Sequence, residues 1–463
     1  MALTTPISDE KVATLRAAVR GPIITPADEG YDDARALHNG MIDKRPALIA
    51  RCSDAADVVS VLSFARDEAM DLAVRGGGHN GPGLGSVDGG VVIDLRDMRG
   101  VRVDPEARTA RVGGGSVFGD VDHATAGFGL AMPSGFVSTT GVGGLTLGGG
   151  VGYLSRKFGL TIDSLLEADV VLADGRQVTA SANEHPDLFW ALRGGGGNFG
   201  VVTSFLFRLY PLGTIYAGPI LWDFERAADL MRFWQDTLER ADDDLYGFFA
   251  FLKVPPAAPF PEELHLKTMC GIVWCYTGPQ ERAEEVFEPI RAFGPPALDM
   301  AGPMPLPTLN SLFDALYPAG QQWYWKSDFM GRLDDELIAR HLEYGGDLPS
   351  WLSTMHLYPV SGAAARVGDG ETAFSYRDAR YNMVIAGIDN DPANNERNIA
   401  WARAYWDTLH PFSVGGGAYV NFMMEEGEGR IRDSYRGNYD RLVEVKRRYD
   451  PENLFHVNQN IQP

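Results

Sequence analysis

Apolar positions along the chain follow two textures. Up to about residue 210, short Val/Ile-rich runs bounded by turn residues predict strands at 72–74, 90–95, 110–112, 168–172 and 201–207. Helical spacing intervenes at about 54–69, 116–128 and 185–193. From about 215 the runs lengthen, predicting strands at 215–224, 246–254, 265–276, 322–330, 352–358 and 380–388. Amphipathic helices are expected at 226–241, 279–292, 334–344 and 391–409, and one tail helix at 433–448. Pro-rich stretches at 254–261 and 294–307 mark surface loops, and no internal repeat is visible. The pattern implies an α+β fold: a mixed first part, then a largely antiparallel sheet covered by helices.

Composition narrows the class. At 463 residues the chain is too long for one compact core and suggests two or three domains. Apolar residues at 45% and charged residues at 22% are ordinary for a soluble globular protein. No apolar run approaches a membrane span, and the first residues lack a secretory signal, so cytoplasmic action is expected. A net charge of −21 offers no basic face for phosphate, which argues against a nucleic-acid partner. Cys52, Cys270 and Cys275 fit a reduced compartment, and no metal site is expected. The separation of Cys270 and Cys275 puts them on opposite faces of one strand, where they cannot pair.

Glycine changes the picture. The chain has 54, where average usage predicts about 32, and 30 of them lie between residues 75 and 200. They alternate with strand-like runs, so disorder is a poor explanation. Close approach of backbone to a ligand is a better one. In Arg75-Gly76-Gly77-Gly78-His79-Asn80, consecutive glycines after a strand suit a pyrophosphate nest, with Arg75 as a bidentate charge contact; a plain tight turn is the alternative. A second loop, residues 133–152, is glycine-dense enough to argue against a regular helix and would let a flat ring lie on bare backbone. A third, residues 193–200, holds G-x-G-x-x-G at Gly195, Gly197 and Gly200. The strand-like run that follows makes this a false match to the dinucleotide fingerprint.

Together, R-G-G-G-H-N, G-V-G-G-L-T-L-G-G-G-V-G-Y-L-S-R-K-F-G-L, D-L-F-W-A-L-R-G-G-G-G-N-F-G-V-V-T and the closing Y-D-P-E-N-L-F-H-V-N-Q-N-I resemble the FAD-linked oxidases of the berberine-bridge-enzyme type. The resemblance implies a vanillyl-alcohol-oxidase (PCMH-type) fold. Its FAD domain of two α/β subdomains would take residues 1–212 and the segment 418–463, and residues 213–417 would form a substrate domain. It implies FAD bound covalently through His79. The expected cofactor contacts are Arg75, Gly76, Gly77, Gly78, His79, Asn80, Ser134, Gly135, Val137, Ser138, Thr140, Gly141, Gly144, Leu145, Gly148, Gly149, Gly200, Val202, Asn421 and Asn458.

The sequence also departs from the family pattern. Val137 stands where many relatives carry a second, cysteine-linked flavin bond, which implies a single tether and a more enclosed substrate site. Val151 and the apolar Met383-Val384-Ile385 replace positions that handle protons in alcohol-oxidising relatives, so amine-like substrates enter consideration. Thr140 with Leu145 resembles the arrangement in oxygenases that tailor polyketides. Tyr419 matches the family tyrosine that reaches the substrate and is the first candidate for a base or orienting hydroxyl. His356 and Tyr358, at i and i+2 on a predicted strand, share a face and are further candidates. The expected activity is hydride transfer from a C–H next to N or O of a small molecule to flavin, with O2 reoxidation. An oxygenase, an O2-insensitive dehydrogenase and a flavin-carrying binding protein are alternatives; the oligomer is expected to be a monomer or homodimer.

Overall fold

The computed structural model describes residues 7–463; residues 1–6, on which part of the signal-sequence reading rests, lie outside that range. Three main sheets organise the chain. The first orders Ile23–Ile24, Leu48–Arg51, Val91–Asp94 and Leu72–Arg75, its last three strands parallel. The helix Ala55–Asp67 covers it, started by Asp54, whose carboxylate accepts from the amides of Ala56 and Asp57. Val58, Val61, Leu62 and Ala65 give that helix its buried stripe.

The second sheet is antiparallel, in the order Val101–Asp104, Thr109–Gly113, Val201–Arg208, Leu165–Val171, Gln177–Ser181. Its core includes Phe205 and Phe207 and takes in Leu442, Val445 and Ile461 from the far end of the chain. The closing segment therefore packs against the first half of the protein. Lys446, fully buried, fixes it by donating to Asn198 O at 2.9 Å, Phe455 O at 3.1 Å and the Asp450 carboxylate at 2.7 Å.

The third sheet has eight antiparallel strands, with Ile215–Asp223, Thr268–Tyr276, Leu245–Lys253, Thr354–Pro359, Tyr381–Asp389 and Gln322–Met330 side by side. Its residues alternate in destination, as strand geometry requires. Phe249, Phe251, Ile272, Met355, Leu357, Met383 and Ile385 meet the helices Ala227–Arg240, Ala283–Ala292, Asp335–Gly345 and Asn395–Leu409. Their neighbours face the other way, toward a cavity. Cys270 joins the helix-side core and Cys275 the opposite one, both as free thiols. Among the described residues no helix is long and apolar enough to cross a membrane.

Two expectations are corrected. Residues Val142–Gly148 do form a short helix despite their glycines. Gly143 lies against Gly114 O, 3.2 Å from where its Cβ would sit, so tight packing offsets the cost of glycine in a helix, about 1 kcal/mol. The single tail helix is two, Glu428–Tyr435 and Tyr439–Tyr449. Arg436 breaks it with φ of 45°, which lays its guanidinium over the Tyr376 ring, 3.7 Å from the centroid, and pairs it with Asp378 at 2.7 Å. The G-x-G-x-x-G run leads into the strand Val201–Arg208, as its sequence suggested.

Candidate active site

The glycine loops and the open face of the eight-stranded sheet enclose a cavity of about 440 Å3. The loops meet backbone to backbone. A Cβ on Gly77 would lie 2.4 Å from Gly141 N, and one on Gly141 would lie 2.3 Å from Gly77 N. Only a glycine pair permits that approach. Gly144 and Gly197, both on the cavity wall, have no heavy atom of the described residues within 4 Å of the Cβ they lack. Among the described residues, the amides of Gly77, Gly78, His79 and Asn80 find no backbone acceptor. Bare donors and side-chain-free wall are what an extended, anionic, flat cofactor needs, so the residues present fit a flavin nucleotide. The closing segment completes the wall with Val457, Asn458 and Gln459; Asn458 donates to Phe455 O at 2.8 Å, while its Oδ1 has no partner among the described residues.

Of the expected cofactor contacts, Gly76, Gly77, Gly78, His79, Asn80, Gly135, Val137, Thr140, Gly141, Gly144, Leu145, Gly200, Val202, Asn421 and Asn458 line this cavity. Arg75 also borders it, but its guanidinium is turned to Asp94 at 2.7 Å and to Ala34 O at 2.7 Å. One arm of Arg75 is thus spent on a structural ion pair, while its Nε and Nη1 have no hydrogen-bond partner among the described residues. Ser134, Ser138, Gly148 and Gly149 lie off the wall. Ser134 accepts from Asn310 at 3.2 Å, and Ser138 donates to Asp314. Gly148 and Gly149 instead make room for the Asn421 amide and the Phe374 and Tyr419 rings.

His79 stands in the first loop with its ring stacked on His38, centroids 3.9 Å apart and planes at 17°. Thr139 Oγ1 is 3.2 Å from His79 Nε2. Enclosure and the neighbouring imidazole hold His79 down to about 3, and enclosure alone holds His38 down to about 4, so both rings are neutral at physiological pH. His38 follows a short helix in a stretch with no motif, and the sequence carried no signal for it.

On the sheet side, Pro219, Leu221, Phe248, Ala250, Leu252, Val273, Trp323, Trp325, Thr354, His356, Tyr358, Val384 and Ala386 face the cavity, two residues apart within each strand. Trp323 and Trp325 were findable from that period in a predicted strand. His356 links its two strand neighbours: Nε2 is 2.8 Å from Thr354 Oγ1 and Nδ1 is 2.6 Å from the Tyr358 hydroxyl. Burial keeps this imidazole down to about 3 and pushes the Tyr358 phenol up. Tyr419 also borders the cavity, its oxygen accepting from Gly150 N–H at 2.8 Å and from Asn421 Nδ2 at 2.8 Å. Burial outweighs these two donors and raises its pKa. The geometry brings all three catalytic candidates to one wall, with Phe422 between Tyr358 and Tyr419 at centroid distances of 5.9 and 5.1 Å.

Residues 46–181 match the family model described as FAD binding domain, and residues 418–462 match the one described as berberine and berberine like. An uncharacterized FAD-linked oxidoreductase of Bacillus subtilis, YgaK, is 30% identical over 97% of this chain and 98% of its own. The (R)-6-hydroxynicotine oxidase of Paenarthrobacter nicotinovorans is 31% identical over 96% of this chain and 97% of its own. The crystal structure of 6-hydroxy-D-nicotine oxidase from Arthrobacter nicotinovorans aligns with a TM-score of 0.85 at 29% identity, covering 96% of this chain and 98% of that one. Physcomitrella patens BBE-like 1, at 22% identity, shares the fold with a TM-score of 0.86 over 98% of this chain and 99% of its own.

Proposed function

The chain belongs to the berberine-type family of FAD-linked oxidoreductases, and from that membership we propose that it is an oxidase whose flavin is tethered through His79. Its substrate is a small molecule with a C–H next to N or O. The observation that carries the reading is the shared cavity: side-chain-free glycine loops with His79 on one side, the candidates His356, Tyr358 and Tyr419 on the other. FAD, when bound, would supply the redox chemistry: a two-electron acceptor for the substrate hydride that O2 can reoxidise, with H2O2 as the product.

The protein's part is to hold, orient and exclude water. Residues 1–212 with 418–463 act as the cofactor-binding unit, and the sheet of residues 213–417 roofs it. The amides of residues 77–80 and the bare faces of Gly144 and Gly197 hold the cofactor. A neutral His79 keeps the ring lone pair that a covalent bond requires. With Val137 in place of a cysteine and all three cysteines buried, His79 is the sole tether. Tyr358 and Tyr419 would orient the substrate within the cavity, and the aromatic wall would keep the site dry.

Acid precipitation tests the tether: flavin should stay on the wild-type protein and leave the His79→Ala variant, and retention in the variant would overturn it. Peroxide formed in step with substrate consumption tests the oxidase. Labelled O2 appearing in the product would replace it with an oxygenase.

A further inference from the structure

The hydrogen-bond polarity of the two cavity tyrosines can be worked out from their partners. Thr354 Oγ1 lies 2.7 Å from Phe251 O. A carbonyl has no proton, so Thr354 donates there and must accept from His356 Nε2–H. The neutral imidazole then has only a lone pair at Nδ1, and the Tyr358 hydroxyl donates its proton to it. Tyr358 therefore shows the cavity an oxygen that can only accept. Tyr419 is the converse. Asn421 Nδ2 is fixed as nitrogen by Leu145 O at 3.0 Å. With Gly150 N–H and Asn421 both donating, the Tyr419 oxygen has its lone pairs engaged, and what it offers the cavity is its O–H.

The rest of the wall carries no negative charge among the described residues. No Asp or Glu lies among the described lining residues. Its two cations are turned elsewhere, Arg75 to Asp94 and Lys253 to Leu348 O at 2.8 Å. Phe136 stacks on Tyr358 with centroids 4.3 Å apart, and Phe248, Phe313, Trp325 and Phe422 continue an aromatic lining. A protonated amine would enter with no counter-charge, at a cost that burial makes large.

We infer that the substrate is a flat aromatic compound without positive charge, whose hydroxyl donates to Tyr358 and whose carbonyl-type oxygen accepts from Tyr419, with Thr354 as the positioning residue that sets the His356 tautomer. This deepens the oxidase reading by naming a substrate class for the same site, and it rests on that reading's assignment of the cavity.

Binding to the holoenzyme, followed anaerobically by flavin absorbance, tests it with naphthalene probes. 2-Naphthol should bind about tenfold more tightly than 2-methoxynaphthalene, which lacks the donor, and more tightly than 2-naphthylmethylammonium. Tyr358→Phe should collapse the naphthol preference to about one while keeping the ring wall. Thr354→Val should shrink it, and Thr354→Ser should restore it, which a merely structural threonine would not do. 2-Acetylnaphthalene should outbind 2-ethylnaphthalene, and Tyr419→Phe should erase that difference. Equal binding of naphthol and its methyl ether, tighter binding of the cation, or no binding of naphthol would overturn the inference. These probes report binding alone, and 2-naphthol has no C–H next to N or O to oxidise. Absence of peroxide with compounds that do carry such a C–H would sink the oxidase proposal and leave the binding order standing, whereas a reversed binding order beside peroxide formation would sink only the polarity assignment.

Discussion

Alanine at Gly144 and at Gly77 should separate the two demands that glycine meets around the cavity. A Cβ at Gly144 touches nothing within 4 Å, and the residue lies in the first turn of the Val142–Gly148 helix. Without flavin the substitution should leave stability unchanged or raise it by up to about 1 kcal/mol, through lower chain entropy in the unfolded state. With flavin, the added methyl occupies cofactor space, and overpacking of about 1–3 kcal/mol corresponds to roughly five- to hundredfold weaker binding. Gly77→Ala differs, because its Cβ would meet Gly141 N at 2.4 Å, backbone against backbone, with no flexible side chain to move. It should lose a similar energy even in the flavin-free protein. Both are best made in a His79→Ala background, where flavin can be stripped and rebound. Thermal unfolding of the stripped protein and flavin titration then give the two quantities. Wild-type flavin affinity in Gly144→Ala would refute the placement of the cofactor against that face.

Burial pushes the Asp122 carboxyl up to about 6 despite a 2.8 Å bond from Asn310, so the folded state favours its protonated form. Its ionisation should lower stability as pH rises from about 4 to 6, by up to about 3 kcal/mol, and Asp122→Asn should gain in Tm over wild type across that window; a pH-independent gap would refute this. Lys446→Met leaves Asp450 charged and buried without its cation and Asn198 O unpaired, so a loss of about 3–5 kcal/mol is expected, with less flavin incorporated as residues 457–459 leave the wall; full flavin incorporation would contradict it. His38, His79 and His356 titrate at about 3–4, so any pH dependence of kcat/KM between 6 and 8 should persist in His356→Gln; its disappearance would show that the imidazole charges during turnover.

The two halves of the site were unequally legible because they are encoded over different distances. The cofactor side depends on where a backbone must come bare against another, and glycine marks such places locally. Gly76 to Gly78 and Gly141 to Gly144 could be read without knowing what they touch. Local reading failed where tertiary contact overrode it. The tail helix breaks at Arg436 because Tyr376 and Asp378 hold its side chain, and Arg75 answers to Asp94, nineteen residues on. The glycines at 148–150 looked like more of the same cradle. Instead Gly148 and Gly149 seat Asn421 and Tyr419, and Gly150 N–H donates to the Tyr419 oxygen, so part of the glycine excess serves to place a tyrosine. The sheet side of the cavity is assembled from separate strands, with the residues facing it two apart within each. The absence of carboxylates among the described wall residues is a property of the register among those strands, so no single stretch of sequence contains it. The same holds for hydrogen-bond polarity. His356 and Tyr358 could be paired from their spacing, but which of them holds the proton is decided by Phe251 O on the neighbouring strand.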